Sequence, residues 1–265
     1  MKIIYALLAA AVLCAVAVSG CVTNSAPDPI FSTLNGATGG ISDRLNATEA
    51  AMHAAAAYTA AENLSPEGQK QALASLYQTA PLAHDILTAD AAGIVTAVYP
   101  DNIHSILGRN LSQYPPDAET FAHADVYVSE YLTAENGQKV YLMSVPVRMN
   151  GTYAGYISLS FDPFRLFGQE ESAMKGTRYS LFVLQTDGVQ VYDPDVRELG
   201  QNVLFDAEYD GVRGFVTAVC SNPKGVERYS YYANGGTDMV NKTAVWDTVS
   251  FGSRDWRVAV TVEEQ

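Results

Sequence analysis

The order of apolar and polar positions divides the chain into three regimes. Residues 3–18 form an uncharged apolar run behind Lys2, shorter than the ~20 residues a bilayer-spanning helix needs. From Ile41 the spacing becomes helical. Ser42 or Asp43 suits an N-cap, Arg44 to Ala61 is Ala-rich without Gly or Pro, and Leu45, Met52, Ala56 and Thr59 fall near one face. Asn63-Leu-Ser-Pro66 interrupts this helix. Ser65 as N-cap with Pro66 at the first helical position starts a second helix, with Leu73, Leu76 and Tyr77 as its stripe and an end near Thr79. After Pro81 the period drops to two. Strands are expected at 84–89, 93–99, 126–133, 139–147 and 153–161. A polar connection over 163–176 leads to a second series at 178–185, 188–192, 226–233, 243–250 and 256–262. Glu135-Asn-Gly137, Asn150-Gly151, Asp187-Gly188 and Asn234-Gly-Gly236 supply the turns.

The two strand series repeat one another. Ala92-Gly93-Ile-Val, Tyr99-Pro100 and Leu107-Gly108-Arg-Asn110-Leu111 in the first correspond to Asp187-Gly188-Val-Gln, Tyr192-Asp-Pro194 and Leu199-Gly200-Gln-Asn202-Val203 in the second. This is a tandem duplication. Each copy reads as a hairpin, a helical or irregular crossing and three antiparallel strands. A long helix followed by two such copies resembles the double Cache family of extracytoplasmic sensor domains. The resemblance covers about residues 41–265. It implies an α+β fold, with a long N-terminal helix followed by two tandem PAS-like antiparallel-sheet modules. It places ligand binding in the first module, distal to the membrane.

The expected divisions are a signal peptide at 1–20, a flexible tether at 21–40 rich in Ser, Thr, Asn, Pro and Gly, a helical segment at 41–82, a first PAS-like module at 83–165 and a second at 176–265. The apolar leader ends in Val18-Ser19-Gly20-Cys21. This resembles the lipobox of secreted lipoproteins, which implies cleavage before Cys21 and lipidation of that residue. The alternatives are an ordinary signal peptide or an uncleaved anchor. All of them place the folded chain outside the cytoplasm, anchored to the cell membrane on the lipoprotein reading. Of the three cysteines, Cys14 lies in the leader and Cys21 at its end, so only Cys220 remains and no internal disulfide is expected.

Charge narrows the partners. With 29 acidic against 16 basic residues the net charge is −13, which repels phosphate backbones and sets nucleic acid aside. The chain contains no G-x-S-x-G, H-E-x-x-H, dinucleotide or Walker motif, and its four His have no metal-ligand spacing. No enzyme, cofactor or metal is therefore expected. The readings are a sensory ligand-binding lipoprotein, or a surface spacer or adhesion protein with no ligand. On the first, a small polar or anionic metabolite binds and a membrane partner (sensor kinase, chemoreceptor or transporter) receives the signal.

The expected ligand contacts are in the first module. Alternation over 126–133 puts Tyr127, Ser129 and Tyr131 on one face, where polar-tipped rings suit a polar ligand in an apolar cavity. Tyr99 and Tyr114 flank the loop beneath. Tyr141 lies on the next strand and Ser160 on the last, Arg109 offers a guanidinium, and His123 ends the crossing. The alternative is that this face packs on the long helix. Amino-acid-binding members of the family resemble a pattern with an Arg-x-Trp-Tyr cluster and a last-strand Asp. Here 112–127 holds no Arg or Trp, and Ser160 stands at the Asp position with Asp162 two residues on, so an amino-acid ligand is not expected. Cys21→Ser is expected to shift the protein from the membrane fraction to the medium, or to leave it unprocessed. Unchanged fractionation of the variant would refute lipidation.

Overall fold

The computed structural model describes residues 28–134, 137–232 and 238–264; the leader and Cys21 lie outside the described residues. Helix α1 spans Pro29–Ala61, about 50 Å at 1.5 Å per residue. Asp28 caps it by accepting from the Ile30 N–H at 3.1 Å, with Pro29 at the first position. Ile30, Leu34, Ala37, Ile41, Leu45, Thr48, Met52, Ala55, Ala56 and Thr59 form one buried stripe. The segment 29–40 is therefore helix, not the tether its composition suggests. The apolar spacing at 30, 34, 37 and 41 outweighs the low helix propensity of Gly, Ser and Thr because burial supplies what propensity lacks. Gly40 has a packing reason: a Cβ there would collide with the Glu170 carboxylate. Helix α2 (Pro66–Thr79) is capped by Ser65 as expected.

The first sheet comprises β1 (Ile86–Asp90), β2 (Val95–Tyr99), β3 (Tyr127–Val128), β4 (Leu132–Thr133), β5 (Lys139–Met149) and β6 (Thr152–Phe161). Its order is β2-β1-β6-β5-β3, with β4 pairing β5. The second comprises β7 (Tyr179–Gln185), β8 (Gln190–Tyr192), β9 (Gly225–Tyr232), β10 (Met239–Phe251) and β11 (Arg254–Glu263), in the order β8-β7-β11-β10-β9. The two orders are the same path traced twice. The repeat extends to single hydrogen bonds. Leu111 N–H donates to Gly93 O at 2.8 Å, as Val203 N–H donates to Gly188 O at 3.0 Å. Gly108 N–H donates to Val95 O, as Gly200 N–H donates to Gln190 O. Gly93 and Gly188 both sit at positive φ, 78° and 88°, which only glycine adopts without strain.

The crossings carry α3 (Thr120–His123) in the first module and α5 (Arg213–Ser221) in the second, within the expected helical or irregular crossing; the departures lie elsewhere. Between the modules, residues 163–174, expected as a polar connection, are helix α4 (Pro163–Met174), capped by Asp162 and burying Leu166, Phe167 and Met174. The single strand expected over 126–133 is two two-residue strands, β3 and β4.

One continuous cluster of buried residues joins Ile41, Leu45 and Met52 of α1 to Val145, Ile157 and Leu159 of the first sheet and to Trp256, Val258 and Val260 of the second. At the seam the Tyr141 hydroxyl accepts from Trp256 Nε1 at 3.0 Å and donates to Gln185 Oε1 at 2.8 Å. Its ring stacks on Tyr131 and Phe161 and meets Trp256 edge-on. Ser253 Oγ and Arg254 Nε donate to Val128 O, and Arg254 pairs with Glu130 at 2.5 Å. Tyr141→Phe keeps the ring contacts but leaves the buried indole N–H and the Gln185 oxygen without this partner, costing about 1–3 kcal/mol. The denaturant midpoint should fall accordingly at unchanged slope; an unmoved midpoint would show that the bridge adds nothing to stability.

Candidate functional site

Strand β5 divides its side chains between two faces. Tyr141, Met143, Val145 and Val147 enter the core against α1, so Leu142, Ser144 and Pro146 face the opposite way. Strand β6 does the same: Ile157, Leu159 and Phe161 enter the core, leaving Tyr156, Ser158 and Ser160 on the other face. On that outer face Ala89, Phe121 and Tyr156 form a second small core, with Leu87, Tyr127 and Tyr153 against it. Phe121 arrives from α3 in the crossing and sets its ring 6.1 Å from Tyr153 and 6.4 Å from Tyr156. Arg148, at the end of β5, donates to Phe121 O at 2.6 Å and lies 3.6 Å from Asp125. It holds the crossing over the sheet.

The outer face is apolar with polar tips. Ser144 and Ser158 bond hydroxyl to hydroxyl at 2.8 Å, both buried. Burial pushes the Tyr153 and Tyr156 hydroxyls up to about 12 and raises that of Tyr127, so all three remain hydrogen-bond donors across the physiological range. Just before α3, hydrogen bonds from the Thr120 backbone and hydroxyl hold Asp117 below the ordinary carboxylate range.

The structure separates most of the residues expected from the sequence. The break after β3 removes the shared face of Tyr127, Ser129 and Tyr131. Of these three, Tyr127 belongs to the outer face. Ser129 Oγ donates to Glu130 O and accepts from Leu142 N–H, stabilising the break itself. Tyr131 stacks on Tyr141 at 5.2 Å on the helix side, and burial pushes its hydroxyl up to about 12. Tyr141 is fully buried at the seam between modules, and burial raises its hydroxyl further. Tyr99 packs on Tyr77 of α2, ring centroids 5.0 Å apart. Ser160 is on the outer-face parity, but its hydroxyl accepts from Asp85 N–H at 3.2 Å. Asp162, the alternative acid, caps α4. Arg109, Tyr114 and His123 are exposed in the crossing, Tyr114 by 59%. Tyr153, Tyr156, Ser144 and Phe121 belong to the outer face without being among the residues expected from the sequence. The signal for Tyr156 is the alternation of Tyr156, Ser158 and Ser160 with Ile157, Leu159 and Phe161.

Among the described residues no helix is long and apolar enough to cross a membrane. Residues 43–163 match the family model of the HK/GC/chemotaxis protein-like sensor domain. Among curated proteins none matches the chain in sequence. Its fold recurs among solved structures. An extracellular ligand-binding receptor from Desulfohalobium retbaense superposes with a TM-score of 0.71 at 21% identity, over 89% of this chain and 41% of that one. The chain thus spans less than half that receptor's length. The ligand-binding domain of the Pseudomonas aeruginosa amino acid chemoreceptor PctB, in complex with L-Gln, gives 0.66 at 13% identity over 89% of this chain and 90% of that one. The ligand-binding domain of the Pseudomonas fluorescens chemoreceptor CtaA, in complex with L-alanine, gives 0.65 at 14% over 89% and 96%. Residues 43–163 match the sensor-domain family, and the described chain as a whole has the double Cache fold of tandem PAS-like modules.

Proposed function

We propose that the protein is an extracytoplasmic sensory lipoprotein that binds a small polar or anionic metabolite on the outer face of its first module and passes the bound state to a membrane partner such as a sensor kinase, chemoreceptor or transporter. The similar structures described as an extracellular ligand-binding receptor and as chemoreceptor ligand-binding domains support a sensory role. The observation that carries the reading is a set of hydroxyls on this face with no acceptor among the described residues. Among the described residues the buried Ser158 hydroxyl accepts from Ser144 and donates to no residue, and Tyr127, Tyr153 and Tyr156 around it make no side-chain hydrogen bond. Donors lining an apolar face under a pinned crossing suit a ligand rich in oxygen acceptors.

One observation favours the spacer reading instead. Phe121 is 1% exposed and already fills the space between Tyr153 and Tyr156, as a closed pocket without ligand would.

A thermal-shift screen of the full chain over carboxylates, amino acids, sugars and purines separates the two. A ligand of the native state raises the melting temperature; a spacer responds to none. With a hit in hand, Ser158→Ala and Tyr156→Phe should each weaken binding roughly 5- to 150-fold, the range set by about 1–3 kcal/mol for a lost buried hydrogen bond. Arg148→Met should weaken it through the crossing while speeding amide exchange around residues 117–125. A hit whose affinity ignores all three variants would place binding elsewhere.

A further inference from the structure

The outer face of the first sheet holds one polar group besides its hydroxyls. At the start of β1, Ile86 enters the core and Leu87 lies on the outer face, so Asp85, one residue before Ile86, falls on the outer side. Its backbone is fixed there against Ser160. Ser160 N–H donates to Asp85 O at 2.8 Å, and Asp85 N–H donates to Ser160 Oγ at 3.2 Å. Asp85 therefore stands at the end of the row that runs along β6 through Ser160, Ser158 and Tyr156. Its side chain is 21% exposed, so the row opens to solvent at this end.

The chain itself does not satisfy this carboxylate. Asp85 Oδ1 is sealed from solvent and has no hydrogen-bond partner; among the described residues it is the only carboxylate oxygen in that state. Asp85 Oδ2 lies 3.1 Å from His84 Nδ1, without the geometry of a hydrogen bond. Arg165 donates from Nη1 to Ala83 O at 2.5 Å and makes no ion pair with Asp85. Beside it the Ser160 hydroxyl accepts from Asp85 N–H and donates to no described residue. An enclosed acceptor without a donor is destabilising, more so when it is charged. A donor from outside the chain, carrying positive charge, removes both costs.

We propose that Asp85 binds the ammonium group of a ligand whose carboxylate accepts from Ser158 and Tyr156 further along the same row, and that the ligand is an ω-amino acid. This rests on the reading of the outer face as the ligand site and narrows it. Ser158 is two residues from Ser160, about 7 Å along a strand, and Tyr156 is two residues beyond. An α-amino acid carries its amine and carboxylate on one carbon and cannot bridge that interval. A chain of methylenes can, and the side chains between the two ends suit it: Leu87 pairs with Ser158 and Leu142 with Ser160, both on the outer face. The ammonium brings three donors to Asp85 and its surroundings. A carboxylate ligand without the amine would instead add a second negative charge to a face that already carries one.

The test measures the melting temperature of the full chain with 5-aminopentanoate. Pentanoate, pentylamine and L-norvaline serve as probes that lack the amine, the carboxylate or the separation between them. At ten times its Kd, 5-aminopentanoate should raise the melting temperature by about 3–6 °C and bind roughly ten-fold or more tightly than each of the other three. Asp85→Asn should bring its affinity down to that of pentanoate, while the unliganded melting temperature holds, because the amide replaces an oxygen that the fold does not use. Ser158→Ala should weaken 5-aminopentanoate and pentanoate alike. Should Asp85→Asn fold poorly, the four compounds compared on the wild-type chain decide alone. The proposal is overturned if 5-aminopentanoate gives no rise, if any of the other three matches it, if Asp85→Asn binds it like the wild type, or if Ser158→Ala leaves its binding unchanged. The outer-face reading fails separately: a ligand without an amine that responds to Ser158→Ala but not to Asp85→Asn removes the role of Asp85 and keeps the site, whereas ligands that all ignore Ser158→Ala remove the site as well.

Discussion

The structure depends on a single helix serving two sheets. Each sheet has an apolar face that has to be covered, and the stripe of α1 from Ile30 to Thr59 covers both. Because the stripe is continuous, the core is continuous, and the modules are held as one packing unit. The connection between them is fastened to the same helix. Arg44 of α1 pairs with Glu170 of α4 and donates from Nε to Leu166 O at 3.1 Å, and Gly40 leaves room for that carboxylate one turn away. A largely buried charge pair of this kind adds little net stability. Its hydrogen bonds to a carbonyl and a carboxylate instead fix where α4 lies along α1.

With one sheet face committed to the helix, chemistry in the first module is confined to the other. Strand β5 belongs to both. Tyr141 reaches the seam and Ser144, three residues on, reaches the outer face, so the residues that join the modules and those of the proposed site share one backbone. A displacement of β5 by a ligand on the outer face would move the Tyr141 hydroxyl relative to Trp256 and Gln185. That is a contiguous physical connection from the site to β11 and the C-terminal end of the second module.

The fold was legible in the sequence because its signals are local and repeated. Ser65-Pro66 announces α2, the Gly93 and Gly188 turns mark the two hairpins, and Leu-Gly-x-Asn recurs because the same main-chain bonds are made twice. The start of α1 was not legible from composition, since Gly39-Gly40 and the Ser/Thr content read as linker; only the spacing of four apolar residues argued for helix, and their partners are far away in sequence. The faces of the first sheet were legible only in part. Parity along a strand assigns faces only while the strand is unbroken, and the Ser129 hydroxyl, by bonding main-chain groups of Glu130 and Leu142, ends β3 after two residues. Everything read across that break, Tyr131 above all, was therefore assigned to the wrong side. On β6, which is regular for ten residues, parity does hold, and Tyr156 and Ser158 share the outer face.

The two copies differ in what covers the outer face of their sheets. The sheets have the same strand order, so their outer faces begin alike. In the second module the nine residues of α5 cover that face. Phe215 stacks on Tyr229 at 4.0 Å and meets Trp246 edge-on, with Val216, Val219 and Cys220 completing a separate core. Tyr229 is buried deeply enough that its hydroxyl is raised well above its ordinary value, and the face holds a set of aromatic rings packed on one another. In the first module the corresponding cover is four residues of α3, of which Phe121 alone is buried. One ring and one guanidinium hold that cover in place, against a whole apolar helix face in the other copy. Removing the first requires breaking the Arg148 bond and exposing one phenylalanine; removing the second requires exposing a core. The same architecture therefore carries a lightly held cover in one copy and a firmly packed one in the other.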